Sequence, residues 1–163
     1  MAGRITPPKE SGLGEHVDWS LHRTEMAIGM GKFSEAVYGN TKLDLREREA
    51  ARWTIALINH CVVCQDTRAR HAQEHAIDDG FYADVASWAT TDRLTERERM
   101  AAEFAQHFAL DHLAMDDAFW SRVRGTFGDD EIADLIICCG MFLGLGRAMA
   151  VVGVQAPHER ILV

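Results

Sequence analysis

The segment Cys61-Val62-Val63-Cys64 carries the most evident chemistry in this sequence. A cysteine at the start of a helix lies near backbone N–H groups whose partial positive charge favours thiolate over thiol. The second sulfur falls one turn further along the same face, close enough for a disulfide. One thiolate can then attack while the other resolves, which is the basis of reversible oxidation. Zinc sites share the spacing, and His71 and His75 extend it to C-x2-C-x6-H-x3-H. On one straight helix the rise of about 1.5 Å per residue separates Cys64 from His71 by roughly 10 Å. Zinc ligand atoms lie only about 2.0–2.3 Å from the metal, so no metal is expected here. The plain alternative is that Cys61 and Cys64 are two small buried hydrophobes. Cys138-Cys139, which point about 100° apart on an apolar helix, read as core filling.

The elements that must position this pair read as helices throughout. Residues 1–14 read as an extended arm, because Pro7-Pro8 and Gly12 and Gly14 oppose helix. From Glu15 to about Tyr38 the apolar spacing suits one or two amphipathic helices, ended by a turn at Gly39-Asn40. A clearer helix runs from Leu43 to Ile58, with Asp44 as N-cap and Glu47 three residues on. After a break at Asn59-His60, a second helix is predicted from Cys61 to about Ile77, closed by Asp79-Gly80. Shorter helices follow over Tyr82 to Trp88, from Thr95 (with Glu98 in the capping position) to Leu110, and from Asp116 to Phe127. Asp129 opens a last long helix. No stretch alternates with period two, so the fold class is all-α, a compact multi-helix bundle within one domain. The openings Leu45-Arg46-Glu47-Arg48-Glu49-Ala50 and Leu94-Thr95-Glu96-Arg97-Glu98-Arg99 are alike. Both a helical repeat and shared capping chemistry would explain that.

With 163 residues, 47% hydrophobic and 26% charged, the composition is globular. A net charge of -8 with scattered basic residues argues against a nucleic-acid partner. Residues 1–10 have no apolar core, so no signal peptide is read. The apolar run from Ala133 to Val154 contains Asp134 and Arg147, and reads as a buried helix rather than a membrane span. A cytoplasmic protein is expected, in which four cysteines argue for redox chemistry, metal binding or packing rather than a disulfide framework. Gly140-x3-Gly144 and Gly146 would let another backbone approach, within the monomer or across a subunit interface, and Arg147 requires an acidic partner (Glu49 or Asp134), a solvent channel or a place in an interface.

Glu49, eleven residues, Cys61, two residues and Cys64 together reproduce the E-x11-C-x2-C spacing of the alkylhydroperoxidase D and carboxymuconolactone decarboxylase superfamily, which residues 40–80 resemble most strongly. The resemblance implies a helical bundle assembled as trimers or hexamers, with a redox-active cysteine pair. It makes Glu49 the relay acid/base, Cys61 the resolving cysteine and Cys64 the one that attacks peroxide. Attack needs a thiolate, so a nearby base must accept its proton. Arg68 stands where the peroxidase branch has a histidine, and Val63 precedes the second cysteine, giving a variant C-x2-C-x-D-x-R. An arginine stays charged and cannot shuttle protons. His71 and His60 are then the candidate titrating groups, His71 as catalytic acid/base, and Asp66 and Arg68 are candidate substrate-binding residues. The leading expectation is a thiol-dependent oxidoreductase acting on hydroperoxides and recycled by a protein thiol reductant, without metal or organic cofactor. A decarboxylase or isomerase of a small lactone or organic acid, anchored by Arg68 and Arg147 with His71 as acid/base, is the second. A non-enzymatic redox sensor is the third.

Overall fold

A computed structural model describes residues 3–156 and 161–163; the first two residues of the expected N-terminal arm lie outside it. The helices are α1 (Glu15–Asp18), continued by a 3-10 turn over Trp19–Arg23, α2 (Thr24–Asn40), α3 (Leu45–Ile58), α4 (Val62–Asp66), α5 (Asp79–Ala86), α6 (Glu96–Leu110), α7 (Asp117–Thr126) and α8 (Asp129–Val152). Among the described residues the extended pairing is one isolated parallel bridge, Arg68 with Leu162. The all-α expectation holds.

Helices α3 and α6 form the centre, with α8 laid across α3. Local chemistry starts both. Asp44 accepts from Arg46 N at 2.9 Å, while Glu47 Oε2 accepts from Asp44 N at 3.1 Å. Thr95 Oγ1 accepts from Glu98 N at 3.2 Å, and Glu98 Oε2 from Thr95 N at 2.9 Å. The two similar openings then meet in space and exchange partners. Arg46 of α3 pairs with Glu98 of α6, and Arg97 of α6 pairs with Glu47 of α3. Arg97 Nη2 also reaches Glu131 Oε1 at 2.6 Å, and Glu131 Oε2 receives the Gly128 N–H at 2.9 Å. The buried Glu47 and Glu98 carboxylates thus have their charges met in both directions. Below them Ile55, Phe104, Leu135, Val85 and Val123 fill the core, together with Cys138 and Cys139. Burial pushes the Cys138 thiol up to about 11 and Cys139 well above its ordinary value, so both are inert packing, as their positions suggested.

Helix α2 runs unbroken through Gly29 and Gly31 to Asn40, past the expected turn at Gly39. By length and hydropathy α8 could cross a membrane, but in this fold it packs along α3 and α2. Asp134, a suggested partner of Arg147, instead accepts from Lys42 N at 2.6 Å and Thr41 Oγ1 at 3.2 Å, tying the α2–α3 turn to α8. Gly140 and Gly144 have nothing within 4 Å of a would-be Cβ, so within this chain they serve no close packing.

The largest departure from expectation follows the cysteine pair. The helix predicted to continue to Ile77 stops at Asp66. Thr67 turns its hydroxyl back to the Val63 carbonyl at 2.9 Å and adopts extended backbone (φ -64°, ψ 139°). Arg68 N then donates to Ile161 O and Val163 N to Arg68 O, both at 2.9 Å. A 3-10 turn covers Ala72–His75, and Asp78, capping Phe81 N at 2.8 Å, starts α5 where the sequence suggested a helix end. The one-helix geometry used above against zinc therefore does not apply. Among the described residues no group of three or more His, Cys, Asp or Glu side chains is placed to hold a metal ion.

Removing the α6 cap tests the shared design of these helix starts. Thr95→Ala is expected to cost about 1 kcal/mol. In urea unfolding this lowers the midpoint without changing the slope; an unchanged midpoint would show the cap to be dispensable.

Candidate active site

The break at Asn59-His60 (His60 φ 50°) aims the chain so that Cys61 caps α4. Cys61 Sγ receives the Cys64 N–H at 3.2 Å, and the two cysteines are joined by a disulfide with a Cα–Cα separation of 5.2 Å. Cys61 is buried, whereas Cys64 is half-buried and lines a cavity of about 280 Å³. Its wall is largely apolar, including Val63, Met141, Phe142 and Met149, with Tyr38 and Arg52 among its polar members. Gly146 of α8 is the contact that admits the sulfur. A Cβ there would stand 3.3 Å from Cys64 Sγ and 2.9 Å from Asn59 Nδ2.

Behind the disulfide lies a buried polar network. Glu49 is fully buried, and Arg52, one turn along α3, is 2% exposed. Arg52 Nε donates to Glu49 Oε1 at 2.9 Å and Nη2 to Oε2 at 2.7 Å, a bidentate pair. The same guanidinium donates from Nη1 to the Cys64 carbonyl at 2.6 Å and from Nη2 to the Thr67 carbonyl at 3.1 Å. Burial alone would depress the arginine, but the adjoining Glu49 carboxylate more than offsets this and holds it charged. The Tyr82 hydroxyl donates to Glu49 Oε2 at 2.9 Å. Burial, and then the Glu49 charge, raise that phenol to about 12, so it remains a donor.

The sequence-derived candidates divide accordingly. Cys61, Cys64 and Glu49 are brought together, but Glu49 meets the redox segment through Arg52 and does not line the cavity. Arg68 folds back over the Tyr82 ring (4.5 Å) and the Trp53 ring (5.4 Å), with Nη1 donating to the Gln65 carbonyl at 2.6 Å. Neither Arg68 nor the half-buried Asp66 lines the cavity. His71 stands on the surface in left-handed backbone (φ 62°), paired with Glu74 at 2.9 Å, away from the cavity wall. Arg147 bonds Asn59 Oδ1 at 2.9 Å, rather than either suggested acid. Sequence reading missed Arg52, Tyr82 and Asn59. Arg52 did leave a signal, since it is the lone charge between Ala50 and Asn59.

Glu49→Gln is expected to destabilise the fold by about 3–5 kcal/mol, because it strands a buried guanidinium. Tyr82→Phe, which removes one hydrogen bond to that carboxylate, should cost only about 1–3 kcal/mol. Thermal unfolding ranks the two, and an inverted ranking would contradict this network.

Comparison with known proteins places the fold. A crystal structure of a protein of unknown function from Agrobacterium tumefaciens, provisionally named antioxidant defence protein AhpD, superposes with a TM-score of 0.77 at 17% identity, covering 88% of this chain and 99% of that one. An uncharacterized peroxidase-related protein from Silicibacter sp. TM1040 gives a TM-score of 0.71 at 19% identity, covering 88% of this chain and 76% of that one. No curated protein matches the sequence. The sequence profile of the carboxymuconolactone decarboxylase family matches residues 24–107, a span from the start of α2 into α6 that holds the cysteine pair and its Glu49–Arg52–Tyr82 support. This chain belongs to the carboxymuconolactone decarboxylase family.

Proposed function

We propose that this protein is a thiol-dependent oxidoreductase that reduces organic hydroperoxides. The observation carrying the reading is the Cys61–Cys64 disulfide with Cys64 on the wall of an apolar cavity. In the reduced protein the Cys64 thiolate attacks the terminal peroxide oxygen. The S–O bond forms, the O–O bond breaks, and the alcohol leaves with one proton, giving a sulfenic acid on Cys64. Cys61, three residues earlier, then attacks that sulfur. The disulfide forms and the oxygen leaves as water. A dithiol reductant, small or on a protein, restores both thiols by exchange. The balance is one hydroperoxide and two thiols to one alcohol, one water and one disulfide.

Glu49 acts in this scheme as a positioning residue. Its charge holds Arg52, which fixes the Cys64 and Thr67 carbonyls. The cavity lining favours an alkyl or aryl hydroperoxide over hydrogen peroxide, since apolar surface is what the site offers to bind. A decarboxylase acting through Arg68, Arg147 and His71 has less support, because none of the three lines the cavity. Cytoplasmic location and homo-oligomeric assembly belong to the same proposal.

Stopped-flow mixing of the reduced protein with cumene hydroperoxide, with thiol counting, tests it. Two thiols per chain should disappear in the wild type. Cys61→Ser should stop at a sulfenic acid, and Cys64→Ser should not react. Consumption no faster than that of an ordinary free thiol would overturn the reading.

A further inference from the structure

The reaction just proposed needs a proton acceptor at Cys64, and the groups behind the disulfide do not supply one. Glu49 has both oxygens committed to Arg52 and Tyr82 and is absent from the cavity wall. Arginine does not exchange protons near neutrality. His71 is on the surface. Across the cavity the titratable side chains among the described residues, besides Cys64, are Tyr38, Arg52 and His16. Burial raises Tyr38 to about 12, which leaves His16 as the one that titrates near neutral pH.

His16 is delivered by the N-terminal segment. Asp18 anchors this stretch by accepting from Ser11 N at 3.1 Å and from the Ser11 hydroxyl. The His16 carbonyl accepts from Trp19 Nε1 at 3.0 Å, and His16, Val17, Trp19 and Ser20 all line the cavity. Gly14, at φ 97°, underlies the ring; a Cβ there would come within 3.1 Å of His16 Nδ1. That nitrogen is buried and has no hydrogen-bond partner, although it belongs to a group that normally uses both ring nitrogens. The charged side chain acting on the ring is Asp18 on its own helix, and Arg52, whose charge Glu49 balances, lines the same cavity.

We propose that His16 is the proton-exchanging partner of Cys64, filling across the cavity the role for which the cysteine helix carries no histidine. This rests on the oxidoreductase reading. In the reduced protein the proton leaves Cys64 Sγ for the imidazole through water in the cavity, leaving a thiolate and an imidazolium on the wall of the same cavity. As the thiolate attacks and the O–O bond breaks, the imidazolium gives that proton to the departing alkoxide oxygen. Once the disulfide has formed no thiolate faces the ring. Burial then holds the imidazole, neutral since it gave its proton to the alkoxide, below its ordinary value of 6.5 despite Asp18 and so in the accepting form.

Histidine NMR titrations of the oxidised and reduced protein, with His16 identified by the signal lost in His16→Gln, test this directly. The His16 midpoint should lie below about 6.5 when oxidised and rise by about one pH unit or more on reduction. The rise should persist in Cys61→Ser and vanish in Cys64→Ser. His16→Gln should slow hydroperoxide oxidation of Cys64 by about 100-fold or more. Imidazole added to His16→Ala should restore part of the rate, which a residue that only shapes the wall would not allow. An unchanged midpoint between the two redox states overturns the assignment even if hydroperoxide reacts rapidly. A shifted midpoint without hydroperoxide reactivity supports His16 as the proton partner of the thiol and sinks the peroxidase reading instead.

Discussion

A guanidinium buried to 2% exposure sets the terms for everything around it. Arg52 cannot remain in the core without an opposite charge and a full set of acceptors, because an unpaired buried cation costs several kcal/mol. Glu49 supplies the charge from one turn away on the same helix, and Tyr82 occupies a further position on the carboxylate. The remaining acceptors are the carbonyls of Cys64 and Thr67, which become available because α4 ends after five residues. Arg52 on the central helix thereby holds the cysteine segment in place at the point where α4 ends.

This arrangement gives the Cys61–Cys64 pair two unlike sides. One is a closed ionic and aromatic layer, in which Arg68 lies over Tyr82 and Trp53. The other is an apolar cavity with Cys64 on its wall. Gly146 of α8 faces the pair, where a Cβ would crowd Cys64 Sγ at 3.3 Å and Asn59 Nδ2 at 2.9 Å. Cys138 and Cys139 sit further up that helix, buried and raised, which leaves the half-buried Cys64 as the most accessible of the four sulfurs. Placement of Cys64 is a matter of backbone support. Access to it is a matter of the helices and terminal segments that enclose the cavity.

Much of the fold was legible because its signals are local. The caps at Asp44, Thr95 and Asp116 and the starts of the long helices follow from side chains bonding within three residues. The end of α4 was not legible, because it depends on Thr67 turning back to Val63 and on pairing with residues 161–163, about ninety positions away. Asp78-Asp79 could be read as a helix end or a helix start until that pairing was known. At the site, the cysteines were readable from their own spacing, and Glu49 only through the family resemblance. Arg52 was within reach, as the one charge after the charged opening of α3. His16 was not, since only tertiary packing brings the N-terminal segment across the cavity from Cys64.

Replacing the pair by apolar residues in one step, Glu49→Leu with Arg52→Met, isolates its positioning role, because such exchanges often preserve or raise stability. Amide hydrogen exchange over residues 64–70 is the decisive reading. If Arg52 fixes that turn, exchange there should accelerate about tenfold or more while α3 and α6 retain their protection. Unchanged exchange over residues 64–70 in a folded double variant would contradict the view that the buried ion pair builds the site.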